Sequence, residues 1–138
     1  MRPNRSMPSS EVIPTLAYPD VLAAADWLCT AFGFRPRLRI ASHRIQLSIG
    51  DTGSVVLTQG ALPIGALDSH SLMVRVADVH AHHAQARAAG AQILAAPQDF
   101  PYGECQYRVA DLAGHVWTFS ETRRDSDPAE WGGILSAS

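Results

Sequence analysis

No apolar run in this chain comes near the roughly 18 to 20 residues needed to cross a bilayer, and its first ten residues, MRPNRSMPSS, lack the apolar core of a secretory signal. The expectation is a cytoplasmic protein with no membrane partner. Cysteine is as scarce. Cys29 and Cys105 stand alone, with no C-x-x-C pair and no third partner, so they read as reduced, inert thiols rather than a disulfide or metal framework. Basic excess is missing too: 11 Lys and Arg against 13 Asp and Glu leave a net charge of −2, which argues against a phosphate-tracking surface and against nucleic acid as a partner. Arg35, Arg37 and Arg39 alternate through one probable strand and read as a solvated strand face. The sequence also contains no G-x-S-x-G, no P-loop, no Rossmann glycine pattern, and no Cys beside a His at a helix start.

What is present is a globular composition: 46% hydrophobic and 17% charged residues over 138 positions, enough to build one core and too apolar for a disordered chain. Residues 1–10 form a polar, Pro- and Ser-rich segment expected to be flexible. A strand over 12–18 follows, starting near Pro14. Asp20 is a good N-cap, Val21, Ala24, Ala25, Leu28 and Phe32 share one helical stripe, and Gly33 stands where a helix ends in the left-handed conformation. Strand-like runs then occupy 34–41, 43–50 and 53–60, and a loop through Pro63 and Gly65 leads on.

From residue 70 the same series repeats: an alternating segment (70–79), a helix with Val79, His83, Ala86 and Gly90 on one side, and runs at 91–97, 103–111 and 115–122. Two copies of strand, helix and three strands imply an internal duplication. The fold class is α+β: two tandem βαβββ modules, about 12–60 and 70–122 within a domain of 11–122, forming a curved mixed sheet around a cleft. Residues 123–138 leave the repeat as a C-terminal tail, in which Trp131 is expected to pack back on the body or across a dimer contact.

Three runs resemble the vicinal oxygen chelate superfamily of glyoxalases, bleomycin-resistance proteins and extradiol dioxygenases: AYPDVLAAADWLCTAFGF, VADVHAHHAQARAAGA, and YGECQYRVADLAGHVWTFSE with its D-x-x-G turn. The combination of D-W-L-C, Y-G-E-x-Q-Y and G-H-x-W-T-F is most similar to the PhnB-like, glyoxalase-related branch. The resemblance implies a cleft in which metal-dependent members hold a divalent ion on four ligands, where it acts as a Lewis acid. Carried over by spacing, those positions fall on Ile13, Val56, Ser71 and Thr118, none of which is His, Glu, Asp, Gln or Cys. Thr118 stands where a metalloenzyme of the family would show a Glu. Apolar side chains and neutral hydroxyls rarely hold Zn, Ni or Fe, so no metal and no cofactor is expected.

Alternation places Trp117 and Phe119 on the helix-packed side of the last strand and Val116, Thr118 and Ser120 toward the cleft. The expected ligand-binding cleft comprises Ile13, Thr15, Val56, Thr58, Ser71, Met73 and Thr118, with Tyr102, Gln106 and Arg108 at its rim. This describes a metal-free protein that binds a small or medium organic ligand, and the resemblance implies a homodimer. The alternative is a glyoxalase-like lyase, isomerase or dioxygenase, using a non-standard site such as His43, His70 and Glu104 or metal-free acid–base chemistry, for which Glu104 is a weak candidate. In the second helix His83 is assigned to the buried stripe and His80 and His82 to its flank, while His115 is expected to be exposed or to cap a turn.

Overall fold

A computed structural model describes residues 2–61 and 70–136. It consists of β1 (Thr15–Tyr18), α1 (Val21–Phe32), β2 (Arg35–Ile40), β3 (Arg44–Ile49), β4 (Gly53–Gln59), then β5 (Leu72–Arg75), α2 (Val79–Ala88), β6 (Gln92–Asp99), β7 (Glu104–Ala110) and β8 (Val116–Thr122), followed by a 3₁₀ turn at Pro128–Trp131. The loop expected through Pro63 and Gly65 lies outside the described residues. Two tandem βαβββ modules therefore account for the fold. Each forms its own mixed four-stranded sheet, in the order β1-β4-β3-β2 and β5-β8-β7-β6, with the first strand of each module parallel to its last. Among the described residues no helix is long and apolar enough to cross a membrane.

Local chemistry sets the helix ends. Asp20 accepts the Ala23 N–H and Asp78 the Ala81 N–H, one bond at each N-cap that satisfies a donor the helix itself cannot. Gly33 ends α1 at φ 76°, a left-handed turn that an L side chain adopts at a cost, and its N–H returns to the Cys29 carbonyl. β5 is shorter than the 70–79 run because the chain leaves the ladder after Arg75, before Asp78 caps α2.

One apolar core serves both modules. Its members alternate along the strands: Leu16 and Tyr18 in β1, Ile45 and Leu47 in β3, Val55 and Leu57 in β4, Cys105, Tyr107 and Val109 in β7, and Trp117 and Phe119 in β8. Burial of the last two agrees with the face assigned from alternation. α1 and α2 pack against each other, tied by Trp27 Nε1–H donating to the Ala89 carbonyl (3.1 Å) and Gln85 Nε2–H donating to the Thr30 carbonyl (2.8 Å).

That helix–helix contact shows what the flank assigned to His82 faces. The flank facing α1 is interior: His82 lies 2.9 Å from the Phe32 carbonyl through Nε2 and 2.6 Å from the Tyr107 hydroxyl through Nδ1, with its ring on Phe119 at 4.0 Å. A carbonyl can only accept, so Nε2 carries the proton and the tyrosine donates to Nδ1. Burial holds the imidazole pKa below its ordinary value, and the Phe32 carbonyl opposes that shift in part. His83 meets the edge of Tyr107 instead (5.1 Å).

Candidate functional site

The face of each sheet opposite the core carries the remaining alternation, and register fixes its rows. In the first module Thr15 pairs with Val56 and Val56 with Gln46; in the second Met73 pairs with Thr118 and Thr118 with Arg108. Thr58 lies two residues beyond Val56, opposite Arg44. Ile13 and Ser71 precede their strands and stand outside the ladders.

These two open faces differ in cover. In the second, Met73 is 67% exposed and Arg75 and Arg108 are exposed, whereas Thr118 is buried. Beside them on the same face runs a chain of polar contacts. The Tyr102 hydroxyl donates to Gln106 Oε1 (3.1 Å), Gln106 Nε2 donates to Ser120 Oγ (3.0 Å), and Ser120 Oγ donates to Glu104 Oε1 (2.7 Å). Tyr102 is itself held between Phe100, stacked at 5.4 Å, and Trp131, edge-on at 5.4 Å, so the C-terminal turn does pack back on the body. Glu104, the weak acid–base candidate, opens β7 and accepts the Ser120 hydroxyl. In the first face Gln46, Ser54 and Val56 are 3%, 8% and 2% exposed although they point away from the core. Over Gln46 and Ser54 lies the chain's own N-terminal segment, which bonds them through Ser6 and Ser10.

The turn between β7 and β8 joins the modules. Asp111 Oδ1 accepts the N–H groups of Ala113 and His115 (both 3.0 Å), and Oδ2 accepts the Tyr18 hydroxyl (2.5 Å) and Trp117 Nε1–H (3.1 Å). Gly114, at φ 90°, lets the chain reverse inside this ring of bonds. The His115 ring is buried, a correction to its assignment as an exposed or turn-capping residue: Nε2–H donates to the Ala17 carbonyl of the other module (2.8 Å) and the ring lies 4.8 Å from Tyr18. Tyr18 keeps its proton, since burial first and the Asp111 charge second push its pKa far up. These residues make structure.

A repeated βαβββ unit, a D-x-x-G turn locked by its own carboxylate, and open sheet faces opposite a shared core together define a fold with close relatives. Residues 12–119 match the Glyoxalase/Bleomycin resistance protein/Dioxygenase superfamily. The chain belongs to that superfamily. TioX from Micromonospora sp. ML1 is 33% identical, over 94% of this chain and 100% of that one, with a TM-score of 0.69. A glyoxalase-related enzyme from Fulvimarina pelagi (22% identity, 82% and 88% coverage, TM-score 0.67) and a glyoxalase/bleomycin resistance protein from Streptomyces sp. CB03234 (24%, 78% and 96%, TM-score 0.64) share the fold. No curated protein matches the chain.

The residues present do not fit the superfamily's metal. Val56 and Thr118 occupy the two last-strand positions, and Ile13, Thr15, Ser71 and Met73 are the residues available at the first strands. Among the described residues no three of His, Cys, Asp and Glu gather where an ion could be held. His43, His70 and Glu104 form no such group. Both thiols are held toward the protonated form: burial raises the Cys29 pKa, with Asp26 adding to it, and burial raises that of Cys105, with Asp99 adding to it.

One cavity was not foreseen. A groove of about 760 Å³ runs between the β3–β4 turn, Ile49 to Gly53, and β5, floored by Val55, Val74 and Trp117. Alternation assigns Trp117 to the helix-packed side and carries no signal that a groove opens beside it.

Proposed function

We propose that this protein is a metal-free binder of a small or medium organic ligand, held against the open faces of its modules in a homodimer. The observation that carries the reading is the row Met73–Thr118–Arg108. At the centre of the second face, where a metal-dependent relative needs oxyanion or imidazole donors, it sets a flexible thioether, a hydroxyl and a guanidinium. Arg108 is exposed and has no acceptor among the described residues. A thioether beside a cation suits a ligand with an apolar body and an anionic or carbonyl group.

The polar chain from Tyr102 to Glu104 favours binding over acid–base catalysis. Ser120 is 3% exposed and its hydroxyl is committed to Glu104 Oε1, so the pair stiffens a wall. Of the remaining expected cleft residues, Ser71 precedes β5 in the second module, whereas Ile13, Thr15, Val56 and Thr58 belong to the wall that the first module would contribute, and pairing that wall with the second module of another copy is the reason for proposing the dimer. The affinity to the PhnB-like branch is part of the same proposal and rests on the three sequence runs quoted above.

A thermal-shift screen of apolar organic anions and matched neutral analogues tests the reading. Binding only to the native state raises the melting temperature by mass action: about 2.7 kcal/mol of stabilisation at a hundredfold excess over Kd. The expected result is a set of stabilising anions whose effect falls about tenfold or more in affinity for Arg108→Ala, the loss of one charge-assisted bond. Stabilisation that Arg108→Ala leaves unchanged would place the ligand elsewhere, and the cavity at β5 would be its site.

A further inference from the structure

Residues 4–10 do not hang free of the first module. Arg37, displaced from the regular alternation by the bulge between Pro36 and Leu38, donates through Nη2 to the carbonyls of Arg5 (3.0 Å) and Met7 (2.8 Å), and through Nη1 to Gln46 Oε1. Gln46 Nε2 donates to the Ser6 carbonyl (2.9 Å). Ser10 Oγ donates to the Thr52 carbonyl (2.6 Å) and lies 2.9 Å from Ser54 Oγ. The segment is folded on itself as well: Asn4 Oδ1 accepts the Ser6 N–H and the Asn4 carbonyl accepts the Met7 N–H. Pro8, in the middle, is buried in an otherwise exposed run. Arg35, Arg37 and Arg39 are all exposed, as a solvated strand face requires, but the Arg37 guanidinium also bonds main-chain carbonyls some thirty residues away.

We propose that the open face of the first module is a groove that reads main-chain carbonyls, and that the chain's own residues 4–10 are its resident, tethered occupant. Three features of the contact support a recognition role over incidental packing. Successive carbonyls at 5, 6 and 7 are all taken, by the two polar side chains that face them. A planar guanidinium presents fixed donors suited to such a pair of acceptors. The face beneath is kept dry at Val56 and Gln46 even though these residues belong to no part of the core between the sheets.

A consequence follows for ligand access, and it rests on the binding reading given above. A short tether holds its segment at an effective concentration on the order of millimolar. A ligand that uses the first module's wall must outcompete it, so the second module, bare at Met73, Arg75 and Arg108, is the wall met first.

Trypsin acting on the full chain tests the docking, because the Arg5–Ser6 bond lies inside the segment whereas Arg2 precedes a proline and resists cleavage. Cleavage of a docked segment tracks the population of its opened form. The expected result is a bond cut about tenfold or more slowly than in a free synthetic peptide of residues 1–13. Arg37→Ala should restore most of that rate, since it removes the charged donor that holds the Arg5 and Met7 carbonyls. Pro8→Asp should do the same by seating a charge in a buried position, and it leaves every residue of the sheets untouched. The Arg124–Asp125 bond is the internal reference and should not change. Wild-type cleavage as fast as the free peptide, or cleavage indifferent to both variants, overturns the docking. The dye ANS reads the competition separately: release of the segment should increase dye binding, and a segment freed by the protease criterion with no gain in dye overturns the claim that it occupies a binding wall.

Discussion

Asp111→Ala is expected to cost about 4 kcal/mol or more and to leave much of the chain unfolded at ordinary temperature. The carboxylate is buried and is surrounded by four donors, from Tyr18, Trp117 and the Ala113 and His115 amides. Neither of the ion pairs found among the described residues involves it, so these donors alone replace its water. Each buried donor left without an acceptor costs about 1–3 kcal/mol, against a total stability of about 5–15 kcal/mol for a domain. Asp111→Asn keeps one acceptor oxygen and should fall between. Urea unfolding measures both. Because Tyr18 belongs to the first module and Trp117 to the second, the loss should appear as one earlier transition. A loss under about 1 kcal/mol, or a separate unfolding step for each module, would show that Asp111 does not join them.

Phe32→Ala should be nearly as damaging. Its ring is the meeting point of the modules, with centroids of Trp27 and Phe34 at 5.2 and 5.6 Å on its own side and of Trp117, Phe119 and His82 at 5.7, 4.8 and 6.0 Å on the other. Removing a buried Phe leaves a cavity as well as a lost transfer term, together about 3–5 kcal/mol. In a domain of this size that lowers the melting temperature by roughly 10–20 °C. Phe32→Leu fills most of the space and should cost about 1–1.5 kcal/mol. Calorimetry separates the two, and equal melting temperatures for Ala and Leu would mean that the site collapses around the deletion.

What could be read from the sequence was local. Asp20 caps α1, Gly33 ends it, and the alternation of Trp117 and Phe119 against Thr118 and Ser120 picks the face of β8 that joins the apolar core, because each of these signals acts within one turn or one strand. The repeat then supplied the module, and with it the fold. His82, His115 and Tyr18 were read in part, misassigned and passed over, respectively, for a common reason. Their partners, the Phe32 carbonyl, the Ala17 carbonyl and Asp111, lie in the other module, and no periodicity within one element records how two modules pack. Arg37 follows the same logic at longer range, since its acceptors lie in a segment that composition alone describes as loose.

The absence of suitable ligands at Val56 and Thr118 was legible for a different reason. It is a statement about chemistry at positions the repeat defines, and register then put those residues at the centre of the two open faces. An amide nitrogen, a thioether and a guanidinium around them do not substitute for carboxylate or imidazole. Chelators should therefore have no effect on stability, in contrast to proteins whose metal binding is part of their folding free energy.

Metal content of protein purified without chelator tests the central claim most directly. Elemental analysis of the native preparation should find transition metal far below one equivalent per chain, with a melting temperature unmoved by EDTA. About one equivalent of zinc, nickel, iron or manganese per chain, retained through purification and lost to EDTA along with stability, would contradict it.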